Sequence, residues 1–155
     1  MKELEVLKPT LDDVDDIYSL VDFYAKKGDI LPRSRENISE RIREFVCVKD
    51  NNRVVGIASL RIFYPKLAEI RTIAVDEQYQ NRNLGKRLIE ACLNEAKILK
   101  VKDVFALTFR VEFFLKLGFE LIDKKLLPSK KIWEDCINCP LFPSCKEEAV
   151  IYHIY

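Results

Sequence analysis

Residues 69–99 carry two different hydrophobic periods on either side of one polar turn, and this junction limits the fold more than any other part of the chain. Glu69-Ile-Arg-Thr-Ile-Ala-Val75 is a short apolar run of the kind a buried strand presents. Leu84, Leu88, Ile89, Cys92, Leu93, Ala96 and Leu99 recur at helical spacing, which predicts one amphipathic helix of about 15 residues. Asn81, Asn83 and Gly85 lie between the two. A helix that starts from such a turn leaves its first N–H groups without helical partners, beside the positive end of its dipole. That arrangement suits a phosphate. The plainer reading of the same residues is a surface turn leading into a core helix.

The rest of the chain supplies further strands and helices. Residues 3–8 alternate apolar Leu4 and Val6 with charge, as a first strand would. Thr10 and Asp13 form a capping box for a helix whose face is Val14, Ile17, Val21 and Tyr24. Asp12, Asp13, Asp15 and Asp16 suit its positive end and a solvated face; they do not converge as metal ligands. Ser34 caps a second helix with Ile38, Ile42 and Phe45 on one face, and Arg33 stands just outside it. Residues 45–49 and 53–63 read as a hairpin around Asp50, Asn51 and Asn52. Residues 103–108 are another strand, residues 111–119 a short helix stopped by Gly118, and residues 119–123 and 149–155 the last strands. The expected class is α/β, a mixed twisted central sheet with helices on both faces.

At 155 residues the chain is expected to be a single domain over 1–155, with a Cys-containing loop at 128–148 before the last strand. Apolar residues make up 48% and charged residues 33%, which argues for a globular chain over a disordered one. A net charge of +1 gives no electrostatic case for nucleic acid or an anionic membrane. No apolar run has membrane-span length, and the start of the chain lacks a leader-like apolar core. A cytoplasmic protein with reduced cysteines is expected. A homodimer is compatible with the sequence.

Cys136-x2-Cys139-x5-Cys145 has a metal-knuckle spacing, with His153 as the candidate fourth ligand for zinc. A disulfide or free thiols are the weightier alternatives, because three cysteines leave a structural zinc one ligand short. Cys47 and Cys92 sit at apolar positions and read as small core residues.

Gln80-Asn-Arg-Asn83-Leu-Gly85 resembles the Gln/Arg-x-x-Gly-x-Gly/Ala acyl-coenzyme A signature of the GCN5-related N-acetyltransferases, with Asn83 where the first Gly is usual. Asn enters the left-handed region more readily than most residues, so the turn can survive the exchange. Phe113-Phe-Leu-Lys-Leu-Gly-Phe119 resembles the family's second signature. The resemblance implies that acetyl-CoA lies in a gap beside the central strand. It implies pantetheine pairing with backbone of Ile73, Ala74 and Val75, and pyrophosphate held by N–H groups of Asn81, Arg82, Asn83, Leu84, Gly85 and Lys86. It also implies an oxyanion donor at the Val75 or Ala74 N–H.

Four segments are similar to short N-acetylglutamate synthases, the amino-acid N-acetyltransferases of arginine biosynthesis. They are Ile30-Leu-Pro-Arg-Ser-Arg-Glu, Ala68-Glu-Ile-Arg-Thr-Ile-Ala-Val, Leu107-Thr-Phe-Arg-Val-Glu-Phe-Phe and Leu127-Pro-Ser-Lys. The Cys-containing tail is similar to those forms too. The resemblance implies a small amino-acid substrate, glutamate, and direct transfer in a ternary complex. Glu69 matches the position where many family members carry a general base; the plainer alternative is an ion pair with Arg71. A dicarboxylate needs cations, and Arg33, Arg71, Arg110 and Lys130 are the candidates. Phe114 stands where many relatives have a proton-donating Tyr. Two alternatives stay open: another amine acceptor, or a non-catalytic acyl-CoA sensor.

Overall fold

The computed structural model describes residues 4–127 and 147–155. Its elements run β1 (Val6–Leu7), α1 (Val14–Lys26), α2 (Arg35–Glu40), β2 (Phe45–Asp50), β3 (Arg53–Phe63), β4 (Leu67–Val75), α3 (Leu84–Ile98), β5 (Asp103–Thr108), α4 (Val111–Leu115), β6 (Glu120–Ile122) and β7 (Glu148–His153). The seven strands form one sheet in the order β1-β2-β3-β4-β5-β7-β6. Every neighbouring pair is antiparallel except β4 and β5, which run parallel through the α3 crossover.

Local chemistry accounts for the joints. Asn51 and Asn52 both take positive φ (50° and 67°), the geometry a two-residue hairpin turn demands and Asn tolerates. Gly118, at φ 98°, ends the short turn after α4. Ahead of α1, the Asp12 N–H donates to the Thr10 hydroxyl, and the Thr10 N–H donates to Asp13 at 2.8 Å. These two bonds are the expected capping box.

Two cores flank the sheet. On one face Leu84, Leu88, Ile89, Cys92, Leu93 and Ala96 of α3 pack on Val46, Ala58, Leu60 and Ile70. On the other, Ile17, Val21 and Tyr24 of α1 and Ile38 of α2 pack on Phe45, Ile57 and Ala74. The mixed sheet with helices on both faces is therefore present as expected.

Several local expectations give way. The first strand has only Val6 and Leu7. Leu99 lies past the end of α3 and is 55% exposed. The second helix stops at Glu40, so Ile42 falls in a tight turn and Phe45 starts β2. The acidic run is not wholly solvated. Asp13 is buried against Lys49 at 2.9 Å, and Asp16 accepts the Val54 N–H at 3.2 Å. A bulge in β4 is the most consequential departure. Ser59 pairs with Thr72 and Leu60 with Ile70, so Arg71 is an extra residue. The face alternation reverses there. Ile73 packs on the α3 side with Ile70, so Glu69 and Ile73 do not share a face.

Burial pushes the Asp13 carboxyl up, but the Thr10 N–H, the Lys49 ammonium and the Thr10 hydroxyl together hold it below the usual range. A depressed folded value stabilises the fold fully above the unfolded carboxyl pKa of about 3.9 and loses that contribution as pH falls through the folded value. Asp13→Asn is therefore expected to lower the neutral-pH urea midpoint and to flatten the loss of stability below about pH 4. Urea titrations across the acid range check both.

Candidate functional site

The strands β4 and β5 pair at Leu67, Ala68 and Glu69 and then part. Beyond that point β5 stays paired with β7, and β4 stays paired with β3. The opening between them is a cleft of about 550 Å³. Its walls are β4 from Glu69 to Val75, the loop before α2, the turn before α3, and Thr108, Phe109 and Arg110 with α4.

Ladder phase decides which backbone groups face the cleft. The Asp76 N–H donates to the Val55 carbonyl at 2.8 Å, so Val75 and Gly56 are a non-hydrogen-bonded pair. Ala74 must then exchange its N–H and C=O with Ile57, while Ile73 and Val75 turn theirs to the cleft. Of the three residues expected to offer backbone groups, Ala74 is committed to the sheet.

At the end of β4 the chain passes through Asn81 and Asn83, both left-handed (φ 66° and 61°), and enters α3. Asn83 is the N-cap residue, and its carbonyl accepts the first helical bond, from the Arg87 N–H at 3.1 Å. The N–H groups of Leu84, Gly85 and Lys86 precede that bond and have no helical acceptor. A Cβ on Gly85 would sit 3.3 Å from the Phe113 ring, so α4 packs closely on this turn and a side chain there would press on that ring. Asn81, Asn83, Leu84, Gly85 and Lys86 line the cleft. Arg82 does not; its guanidinium lies over the Tyr79 ring, 5.0 Å from the centroid. The cleft is long, open to strand backbone and ended by a helix N-terminus. It fits an extended chain carrying a phosphate group.

At the other end Glu69 is 1% exposed and lines the cleft. Its partner across the β3–β4 ladder is Arg61, itself 3% exposed, with its guanidinium 4.8 Å from the Phe63 ring. Opposed residues on one sheet face have Cβ atoms about 5 Å apart, within reach of each other's charge. Arg61, not Arg71, is thus the directly opposed cation. A polar pair two residues apart, Ser59 and Arg61, interrupts an otherwise apolar strand, and that was the legible signal for it.

Arg71 and Arg110 line the cleft. Arg33 does not. It is 6% exposed behind the cleft wall, where Nε donates to Asn37 at 2.7 Å and Nη1 to Thr72 at 3.2 Å and Ser59 at 3.3 Å. Its neighbours Ile30, Leu31 and Pro32 are the ones that face the cleft. Phe114 is buried in the cleft wall and carries no proton donor. Lys130, Cys136, Cys139 and Cys145 lie outside the described residues. Among the described residues no group of His, Cys, Asp and Glu could hold a metal ion, and His153 contacts Asp103 at 2.6 Å. No helix there is long and apolar enough to cross a membrane.

The profile of the acetyltransferase (GNAT) family matches residues 11–119. An uncharacterized N-acetyltransferase of Chlorobaculum tepidum is 38% identical over 141 residues, covering 91% of this chain and 90% of the relative. An amino-acid acetyltransferase of Mycobacterium tuberculosis is 33% identical over 127 residues, covering 80% of this chain and 72% of the relative. One from Buchnera aphidicola is 30% identical over 82% of this chain, which spans only 29% of that protein. Among solved structures, a Mycobacterium tuberculosis protein in complex with CoA superposes with a TM-score of 0.82 at 27% identity, over 97% of this chain and 99% of its own. The N-acetylglutamate synthase of Neisseria gonorrhoeae superposes with a TM-score of 0.89 at 23% identity, over 100% of this chain and 36% of its own; that likeness concerns the fold.

Proposed function

The chain belongs to the acetyltransferase (GNAT) family and is an acetyl-CoA-dependent N-acetyltransferase, and from that premise we propose that its acceptor is the α-amino group of glutamate. The observation that carries this reading is the presence of two arginines, Arg71 and Arg110, in the cleft wall on either side of the splay, with buried Glu69 lining the same cleft. Two guanidinium forks suit the two carboxylates of glutamate, and a carboxylate base suits its ammonium. Relatives named amino-acid acetyltransferase at 30–33% identity support the same choice. On this reading the chain is a single catalytic domain of an arginine-forming route.

Bound acetyl-CoA supplies an activated acyl carbon on a thiol leaving group. Main-chain N–H groups of Leu84, Gly85 and Lys86 hold the pyrophosphate, and Ile73 and Val75 pair with the pantetheine arm. Glu69 takes a proton from the acceptor ammonium, directly or through water, because an ammonium has no lone pair to attack with. The amine nitrogen bonds to the thioester carbon, a cleft-facing N–H of β4 steadies the oxyanion so formed, and the C–S bond then breaks as the nitrogen gives its second proton to water and the thiolate leaves. Phe114 has no proton to give, so the departing thiolate takes one from water. Arg33 acts on the acceptor end by anchoring the loop that carries Leu31 and Pro32.

A thiol-release assay with acetyl-CoA against glutamate, glutamine, aspartate, ornithine, lysine and spermidine tests the acceptor. Glutamate is expected to exceed the others in kcat/KM by about tenfold or more, since a site built for two carboxylates leaves a cation unpaired with glutamine. A higher value for another acceptor would retain the enzyme class and remove glutamate. Coenzyme binding with no turnover on any acceptor would favour a sensor.

A further inference from the structure

We propose that Tyr24 is a positioning residue for the coenzyme, fixing the end of β4 and the start of the phosphate-binding turn through one shared carbonyl. Tyr24 lies in the last turn of α1, is 8% exposed, and presents its hydroxyl to the cleft. That hydroxyl donates to the Val75 carbonyl. The Gln80 side-chain amide donates to the Tyr24 oxygen at 2.8 Å and to the same Val75 carbonyl at 3.2 Å. Three groups therefore close a small hydrogen-bonded ring where the strand leaves the sheet.

The ring has two consequences. A carbonyl oxygen has two lone pairs, and here both are taken. The Val75 C=O cannot accept from a pantetheine amide, which leaves the Val75 N–H and the Ile73 backbone as the pairing groups on this edge. Gln80 is also the last residue before the chain turns left-handed at Asn81 and Asn83. Holding its side chain against α1 sets where Leu84, Gly85 and Lys86 point their N–H groups. The hydroxyl is not the missing acid for the thiolate. Its proton is committed to Val75, and burial pushes its pKa up.

The inference rests on the reading of the cleft as the coenzyme site. Tyr24→Phe removes only the hydroxyl and keeps the buried ring. Calorimetric titration with CoA is expected to show about three- to tenfold weaker binding, the loss of a hydrogen bond's worth of positioning. The KM for acetyl-CoA should rise by the same factor, while the KM for the acceptor and kcat move by less than about twofold. Gln80→Met should weaken CoA binding alike, and the double variant should bind no more weakly than either single one, because both act through the Val75 carbonyl. Unchanged CoA affinity in both single variants, with the wild type binding normally, would overturn the proposal and leave the coenzyme site intact. A uniform fall in kcat with unchanged acetyl-CoA KM would also overturn it. Wild-type protein that binds no CoA would sink the coenzyme site itself, and this inference with it.

Discussion

Glu69→Gln is expected to lower kcat by about 10²- to 10⁴-fold at neutral pH, the range over which a positioned general base contributes. Gln keeps the shape, but it replaces one acceptor oxygen with a donor NH2 and cannot take a proton. Binding of CoA, measured by titration, should stay within about twofold, because no contact with the pyrophosphate turn is touched. A second effect travels with the first. Arg61 sits opposite Glu69 and is buried, so removing the negative charge takes a counter-charge away from across the ladder. The variant should be less stable than wild type, and rates should be read on protein shown to be folded by its melting transition. The combination expected for a base is a large fall in kcat, intact coenzyme binding and partial recovery at higher pH, where more of the acceptor amine is already neutral. A fall in kcat of less than about tenfold would remove Glu69 from proton transfer and leave it a structural partner of Arg61.

Arg110→Leu is expected to raise the KM for glutamate by about 10- to 100-fold, the value of one lost charge-assisted hydrogen-bond pair. Arg110 follows Thr108, whose hydroxyl accepts the Arg110 N–H at 2.8 Å, and its side chain is exposed on the cleft rim. The substitution therefore costs the fold little and the melting temperature should hold. Steady-state kinetics separate the effect cleanly: the KM for acetyl-CoA should not move. Arg110→Lys should recover only part of the loss, since an ammonium cannot reproduce the planar fork. An unchanged glutamate KM would assign the acceptor carboxylates to other cations and make Arg71 the next residue to test.

The strand, turn and helix at residues 69–98 were legible because each obeys its own hydrophobic period, and the left-handed Asn83 followed from the conformational tolerance of its side chain. The hairpin at Asn51 and Asn52 was legible for the same reason. Register was not. The extra residue at Arg71 depends on how β3 and β4 align, and no local propensity marks it; strict period-two alternation puts Glu69 and Ile73 on one face, and the bulge separates them. Arg33 was legible only as one candidate cation, because its burial comes from tertiary packing, with Ser59 and Thr72 as partners from two strands. Tyr24 reads as one more residue of an apolar stripe. Its ring does belong to that stripe, while its hydroxyl reaches 51 residues along the chain to Val75.

The parting of β4 from β5 also bears on how the molecule resists unfolding. Among the described residues four strands stand on one side of this seam and three on the other, and the two groups share only Leu67, Ala68 and Glu69 of β4 as ladder positions. An occupant that lies along the seam and pairs with strand backbone stitches the two halves as an extra strand would. Saturation and resistance to unfolding are then one linked equilibrium, in which the free protein is the less stable state.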